Sequence, residues 1–260
     1  MRTSREKQQI ATYVLVGGAW LGAWAWRDVT NRLRANGHDV YPLSLTGLGD
    51  RVHLASPSVD LETHIADIVN TLESHDLRDV ILVAHSYSTM PVTAAADRAA
   101  ERIAKLVYVD SSPRPSGTAF FDGYRSPHRE QVEGQVRDLG DGWRWPMPSF
   151  DALKAMGASM DGVTAEQRAY LRAHASDQPF GTFTQPMTLT RDASAAPLPK
   201  LAVLCSFGEA ELQQMIAAGH PWGVGMSGPE WTYAELRTGH WPMFSRPNDL
   251  AALLDRAGRQ

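Results

Sequence analysis

The chain has 260 residues, with 25 basic against 29 acidic side chains and a formal net charge of −4, so it lacks the basic surplus of a nucleic-acid or anionic-membrane binder. Hydrophobic residues at 43% and charged ones at 21% suit one soluble globular unit with a sizeable core. The single cysteine, Cys205, excludes an internal disulfide and a cysteine-based zinc cluster. Residues 1–9 are polar with no apolar run behind them, and no stretch nears the roughly 18 apolar residues of a spanning helix, so a cytoplasmic protein is expected.

Apolar runs alternate with stretches of helical period, which predicts an α/β fold: a mostly parallel sheet with helices on both faces. Residues 12–16 read as the first strand. Trp26, Val29 and Leu33 share a helical face, Gly37 closes that helix, and 38–43 is the second strand. Leu61, Ile65, Ile68, Val69 and Leu72 make an inward stripe, with Asp60, Glu62, Asp67 and Glu73 expected to face outward. Residues 79–84 form a third strand, a small-residue helix follows over 89–100, and 105–110 is a fourth strand.

From 111 to 199 the alternation stops, and seven prolines from Pro113 to Pro186 punctuate short helical pieces. Thr164 and Gln167 stand at capping-box spacing, so this segment is structured. It is expected to be an inserted, mainly helical lid on a core formed by 1–110 and 200–260, over the strand ends where open α/β sheets bind ligands. Strands resume at 201–206 and 231–236. Arg246-Pro247 opens a last helix with Leu250, Leu253 and Leu254 inward.

The chemistry concentrates where the third strand meets its helix. Val83-Ala84-His85-Ser86-Tyr87-Ser88 sets Ser86 at a one-residue corner flanked by small residues, Ala84 and Ser88, as a strained strand-to-helix turn requires. Pro91 fits only a first helical turn, so the helix starts close to the serine. The corner lifts the hydroxyl above the sheet and leaves the Tyr87 N–H free to receive an oxyanion.

A nucleophilic serine needs a base and an acid that orients it. Of nine histidines, His240 is best placed, in the loop between the last strand and the last helix, whereas His64, His128, His174 and His220 read as surface or packing residues. Two carboxylates compete for the third role. Glu211 follows Gly208 beyond the strand at 201–206, where it also suits the first turn of a helix; Asp110 ends the fourth strand, where it also suits a turn. Either satisfies the order Ser, acid, His. After the first strand, Gly17-Gly18 permits close backbone approach, which makes the Ala19 N–H the second oxyanion donor and Trp20 a wall of the site. Gly18, Trp20, Phe121 and Trp145 are expected at the substrate, with Phe120, Trp143 and Met147 as further lid candidates. Neither a dinucleotide fingerprint, a phosphate loop nor metal-ligand spacing occurs, so no cofactor or metal is expected.

Together these elements resemble the α/β-hydrolase superfamily, from about residue 12 to residue 258. The run from Gly18-Ala19-Trp20 to Trp26, Leu45-Thr46-Gly47-Leu48-Gly49-Asp50-Arg51, His85-Ser86-Tyr87 and Gly239-His240-Trp241-Pro242-Met243 are similar to bacterial esterases related to plant hydroxynitrile lyases and methylesterases. The resemblance implies Ser86 as nucleophile, His240 as base, and the Ala19 and Tyr87 N–H groups as oxyanion hole. The activity it implies is hydrolysis of an ester or lactone of a small, largely apolar molecule, with no nucleic-acid or membrane partner. This chain departs from the family at Gly17-Gly18, where His-Gly is usual, at Ala84 and Ser88, where glycines are usual, and in its acid, either Glu211 or Asp110. Trp241 stands where the lyases carry lysine, which disfavours cyanohydrin cleavage. The rival from another class is a non-catalytic small-ligand-binding protein on the same fold; covalent labelling of Ser86 by a phosphonate separates the two.

Overall fold

The computed structural model describes residues 10–190 and 197–259. Its strands and helices run β1 (Thr12–Val16), α1 (Arg27–Ala35), β2 (Asp39–Leu43), α2 (Leu61–Ser74), β3 (Val80–His85), α3 (Thr89–Arg98) and β4 (Ile103–Val109). Next come α4 (His128–Leu139), β5 (Arg144–Trp145), α5 (Phe150–Ala155), α6 (Ala165–His174), β6 (Gln178–Pro179) and α7 (Gly181–Thr184). The last set is β7 (Lys200–Leu204), α8 (Glu209–Ala217), α9 (Pro221–Val224), β8 (Trp231–Glu235), α10 (Pro242–Ser245) and α11 (Pro247–Ala257).

Six strands form one sheet in the order β2-β1-β3-β4-β7-β8, and every pair is parallel. The central strand β3 is buried along its whole length, as a continuous Val-Ile-Leu-Val-Ala run demands when both faces are covered. Pro42, which has no N–H for a ladder, sits in the edge strand β2. From β1 the chain crosses one way to β2 and the other way to β3, and right-handed crossovers in opposite senses place α1 and α2 on opposite faces. There α1 packs on α11 and α2 on α3. The reversal opens a crevice at the carboxyl ends of β1 and β3, where this architecture binds ligands.

The stripe expected on α2 is buried at Leu61, Ile65, Ile68 and Leu72, with Asp60 capping Thr63. Asp67 is a correction: it is buried, because the Thr46 N–H and hydroxyl donate to it at 2.6 and 3.0 Å and Arg51 pairs with it at 2.8 Å. Between β4 and β7 the chain leaves the sheet, and the described residues of this insertion hold the four α-helices α4–α7 and the two-residue antiparallel ladder β5–β6. Its α6 starts with the capping box expected from Thr164 and Gln167. No helix among the described residues is long and apolar enough to cross a membrane.

Candidate active site

Ser86 occupies the corner between β3 and α3 with φ of 53°, a left-handed conformation that costs a side-chain-bearing residue about 1–3 kcal/mol. What holds it there is Ser88. Its hydroxyl receives the His85 N–H at 2.8 Å and lies 3.0 Å from the Val16 carbonyl, lacing the ends of β1 and β3 together, which a glycine could not do. The loop after β1 presses onto the corner: a Cβ on Gly18 would fall 2.9 Å from Ser86 Cβ and 2.8 Å from His85 Nδ1. Gly18 therefore brings the Ala19 backbone beside the serine, rather than facing a substrate itself. Ala19, Trp20 and Ser86 line one cavity.

His240 follows β8 in a loop whose backbone N–H donates to Ser159 of the insertion at 2.7 Å. Its Nδ1 lies 2.7 Å from Asp110 Oδ2. Asp110 is buried, with φ of 45°, and takes three further hydrogen bonds, from the Cys205 N–H at 3.2 Å, the Ser206 N–H at 2.9 Å and the Ser206 hydroxyl at 2.6 Å. Burial alone would raise its carboxyl, but the bond to and charge of His240, with the Ser206 donors, outweigh burial and hold it down at about 2. A carboxylate so fixed demands a proton on Nδ1, which leaves the Nε2 lone pair of His240 free to act as a base. Glu211 is elsewhere: its carboxylate caps the Gly208 N–H at 2.7 Å and pairs with Arg237 at 2.9 Å on the exposed start of α8. The structure brings Ser86, His240 and Asp110 to one cavity and does not bring Glu211 there.

The cavity has a volume of about 600 Å³. Its apolar wall comes largely from the insertion, through Phe120, Tyr124, Leu153, Met156 and Phe183, with Trp222 from α9. Four expected wall residues are corrected: Trp143 and Met147 are not on the cavity wall, and Phe121 and Trp145 are buried behind it. Phe121 is buried against Tyr124 and Phe180, while its neighbour Phe120 faces the cavity, because successive residues of a tight turn point different ways. Trp145 is fully buried, its Nε1 donating to Gln135 at 2.8 Å, and it packs on Trp20, Tyr124 and Phe183. His128 and His220 also line the cavity, though their sequence contexts read as surface or packing. Trp222 had a legible signal, an aromatic residue after His220-Pro221 in the connection following β7, whereas Leu153 and Met156 had none. The Tyr87 ring is stacked on Phe183 at 4.9 Å and 7°. Its hydroxyl is 2.9 Å from Nδ1 of the buried His64, whose Nε2 donates to Thr46 at 2.8 Å. Among the described residues no group of His, Cys, Asp or Glu is arranged to hold a metal ion.

A model of the alpha/beta hydrolase family matches residues 13–253. The carbendazim hydrolyzing esterase of Nocardioides sp. (strain SG-4G) is 31% identical over 257 residues, spanning 96% of this chain and 100% of that protein. Methylesterase 9 of Arabidopsis thaliana is 37% identical over 100 residues, 38% of this chain and 39% of that one. Among solved structures, an extracellular alpha/beta-hydrolase from a Paenibacillus species, which shares homology with Tobacco Salicylic Acid Binding Protein 2, superposes with a TM-score of 0.77 at 21% identity. The superposition covers 96% of this chain and 100% of that one, a likeness of fold.

Proposed function

The chain belongs to the alpha/beta hydrolase family, and from that premise we propose that it hydrolyses an ester or lactone of a small, largely apolar molecule, with Ser86 as nucleophile, His240 as base and Asp110 as the acid. The observation that carries the reading is the 2.7 Å contact of His240 Nδ1 with the buried Asp110, on the wall of the cavity into which the strained Ser86 corner opens. The relatives that are esterases support the same chemistry.

In this mechanism His240 Nε2 takes the Ser86 proton as Oγ attacks the carbonyl carbon. The tetrahedral oxyanion is held by the Ala19 and Tyr87 N–H groups, each donor of this kind being worth about 3 kcal/mol. The proton passes from Nε2 to the departing alkoxide, leaving an acyl group on Ser86. Water, deprotonated by the same nitrogen, then releases the acid and restores the serine. The insertion acts as a lid that supplies the apolar wall and excludes bulk water.

The test is a pair of measurements on the full chain. An activated aryl acetate should be turned over by the native protein and slowed at least about 1,000-fold in Ser86→Ala, with a fluorophosphonate adding once, at Ser86. Undiminished turnover in Ser86→Ala, or no labelling there, sinks the assignment.

A further inference from the structure

This inference rests on the ester-hydrolase reading and narrows its substrate. Arg114 lines the same cavity as Ser86. Its guanidinium carbon lies 4.9 Å over the Phe120 ring centre, and a Cβ on Gly123 would come within 2.6 Å of Nη2, so the group is held between a ring face and bare backbone. Packing fixes it, and hydrogen bonding does not: among the described residues Arg114 donates no hydrogen bond and has no carboxylate within ion-pair distance.

The other described arginines of the insertion are engaged. Arg125, Arg168 and Arg172 donate to backbone carbonyls, while Arg129, Arg137 and Arg144 pair with carboxylates. Arg125 and His128 join Arg114 on the cavity wall, and the one carboxylate among the described lining residues is Asp110, whose oxygens are already taken by His240, Cys205 and Ser206. Burial works against the charge of Arg114 and outweighs the support of Tyr124 and of Asp122, whose carboxylate stays beyond ion-pair distance. A planar guanidinium whose N–H donors meet no acceptor among the described residues, on a cavity wall that is otherwise rich in apolar side chains but also carries Arg125 and His128, matches a carboxylate in shape and sign.

We propose that Arg114 is a specificity-determining residue that receives a free carboxylate on the substrate, so that the preferred ester is a half-ester: an apolar body with a scissile ester at Ser86 and one anionic carboxylate further along the cavity. The proposal adds no chemical step. A charge-assisted pair of this kind, partly open to solvent, favours the half-ester over its neutral diester on the order of 10- to 100-fold in kcat/KM.

The test compares the monomethyl and dimethyl esters of succinic, adipic and suberic acids. In the native protein at least one monomethyl ester should exceed its dimethyl counterpart by that factor, mainly through KM. Arg114→Gln should bring the ratio near one, and Arg114→Lys should keep part of it, with thermal melting confirming that each variant is folded. If the native protein shows no such preference across the series, or Arg114→Gln leaves the ratio unchanged, the proposal is overturned. Calorimetry in a Ser86→Ala background separates this from failure of the esterase reading. There at least one monomethyl ester of the series should bind at least about tenfold tighter than its diester and lose that margin on adding Arg114→Gln, whether or not the native chain cleaves either. Equal binding within every pair overturns it independently.

Discussion

The Nε2 of His85 lies 2.7 Å from the backbone carbonyl oxygen of His240, and the two rings sit 4.8 Å apart. A carbonyl only accepts, so Nε2 carries the proton and the residue before Ser86 anchors the loop that presents His240, the proposed base. Replacing His85 with Ala should lower kcat/KM by about 10- to 100-fold with KM little changed, since a displacement near 1 Å is enough for that loss. His85→Gln, which keeps a side-chain donor, should recover part of it. Equal steady-state kinetics for native and His85→Ala proteins would show that the anchor is dispensable.

The two carboxylates that compete in the sequence are separable by activity. Asp110→Asn removes the acceptor that sets the His240 tautomer and should lower kcat by about 10³- to 10⁴-fold while the fold persists. Glu211→Gln, on the exposed start of α8, should leave kcat/KM within about twofold. The opposite ranking would reassign the acid.

Gly18→Ala tests the close approach behind the oxyanion loop. Its methyl group would lie 2.9 Å from Ser86 Cβ and 2.8 Å from His85 Nδ1, so backbone must shift. Overpacking of this kind costs about 1–3 kcal/mol of stability, and the displaced Ala19 N–H should lower kcat at least about tenfold. Urea unfolding together with kcat measures both, and an unaffected kcat would place the oxyanion donor elsewhere.

Stability should fall in mild acid. Burial, reinforced by the neighbouring His240, lowers the His85 imidazole from 6.5 to about 3, and burial lowers His64 from 6.5 to about 4. Below pH 6.5 the unfolded chain binds protons at both rings and the native state resists them, so stability is greatest above pH 6.5 and declines as pH falls toward 4 and then 3. Asp110, held down at about 2 against an ordinary 3.8, contributes stability above pH 3.8 that is lost only as pH drops through about 2. Urea midpoints between pH 7.5 and 4 should therefore decrease steadily, with a shallower slope in His64→Asn. A flat profile would mean that the two rings are not buried neutral.

The strand, corner and helix around Ser86 and the position of His240 are legible in the chain because they depend on local geometry: small flanks, a proline limited to a first turn, and a loop between two periodic segments. Which carboxylate meets His240 is not legible. Asp110 and Glu211 both follow the carboxyl end of a sheet strand, and the difference lies in a left-handed φ of 45° at Asp110 and the Cys205 and Ser206 donors of the adjacent strand end, contacts distant in sequence. Burial of Asp67 is hidden for the same reason, since Arg51 and Thr46 reach it from another loop. The cavity wall escapes a sequence reading because Phe120 and Phe121 differ in direction rather than in chemistry.

Trp20 is fastened to the insertion by three hydrogen bonds: its N–H to Gln178 at 3.1 Å, its indole N–H to the Trp145 carbonyl at 3.0 Å, and the Ser176 N–H to its own carbonyl at 3.0 Å. Separating that seam would strand several buried polar groups at about 1–3 kcal/mol apiece. The insertion is therefore tied down at this corner rather than free to swing as a flap, and the cavity lining reaches solvent at the exposed Arg125 and His220. The doorway is thus the part of the protein where charge is first encountered.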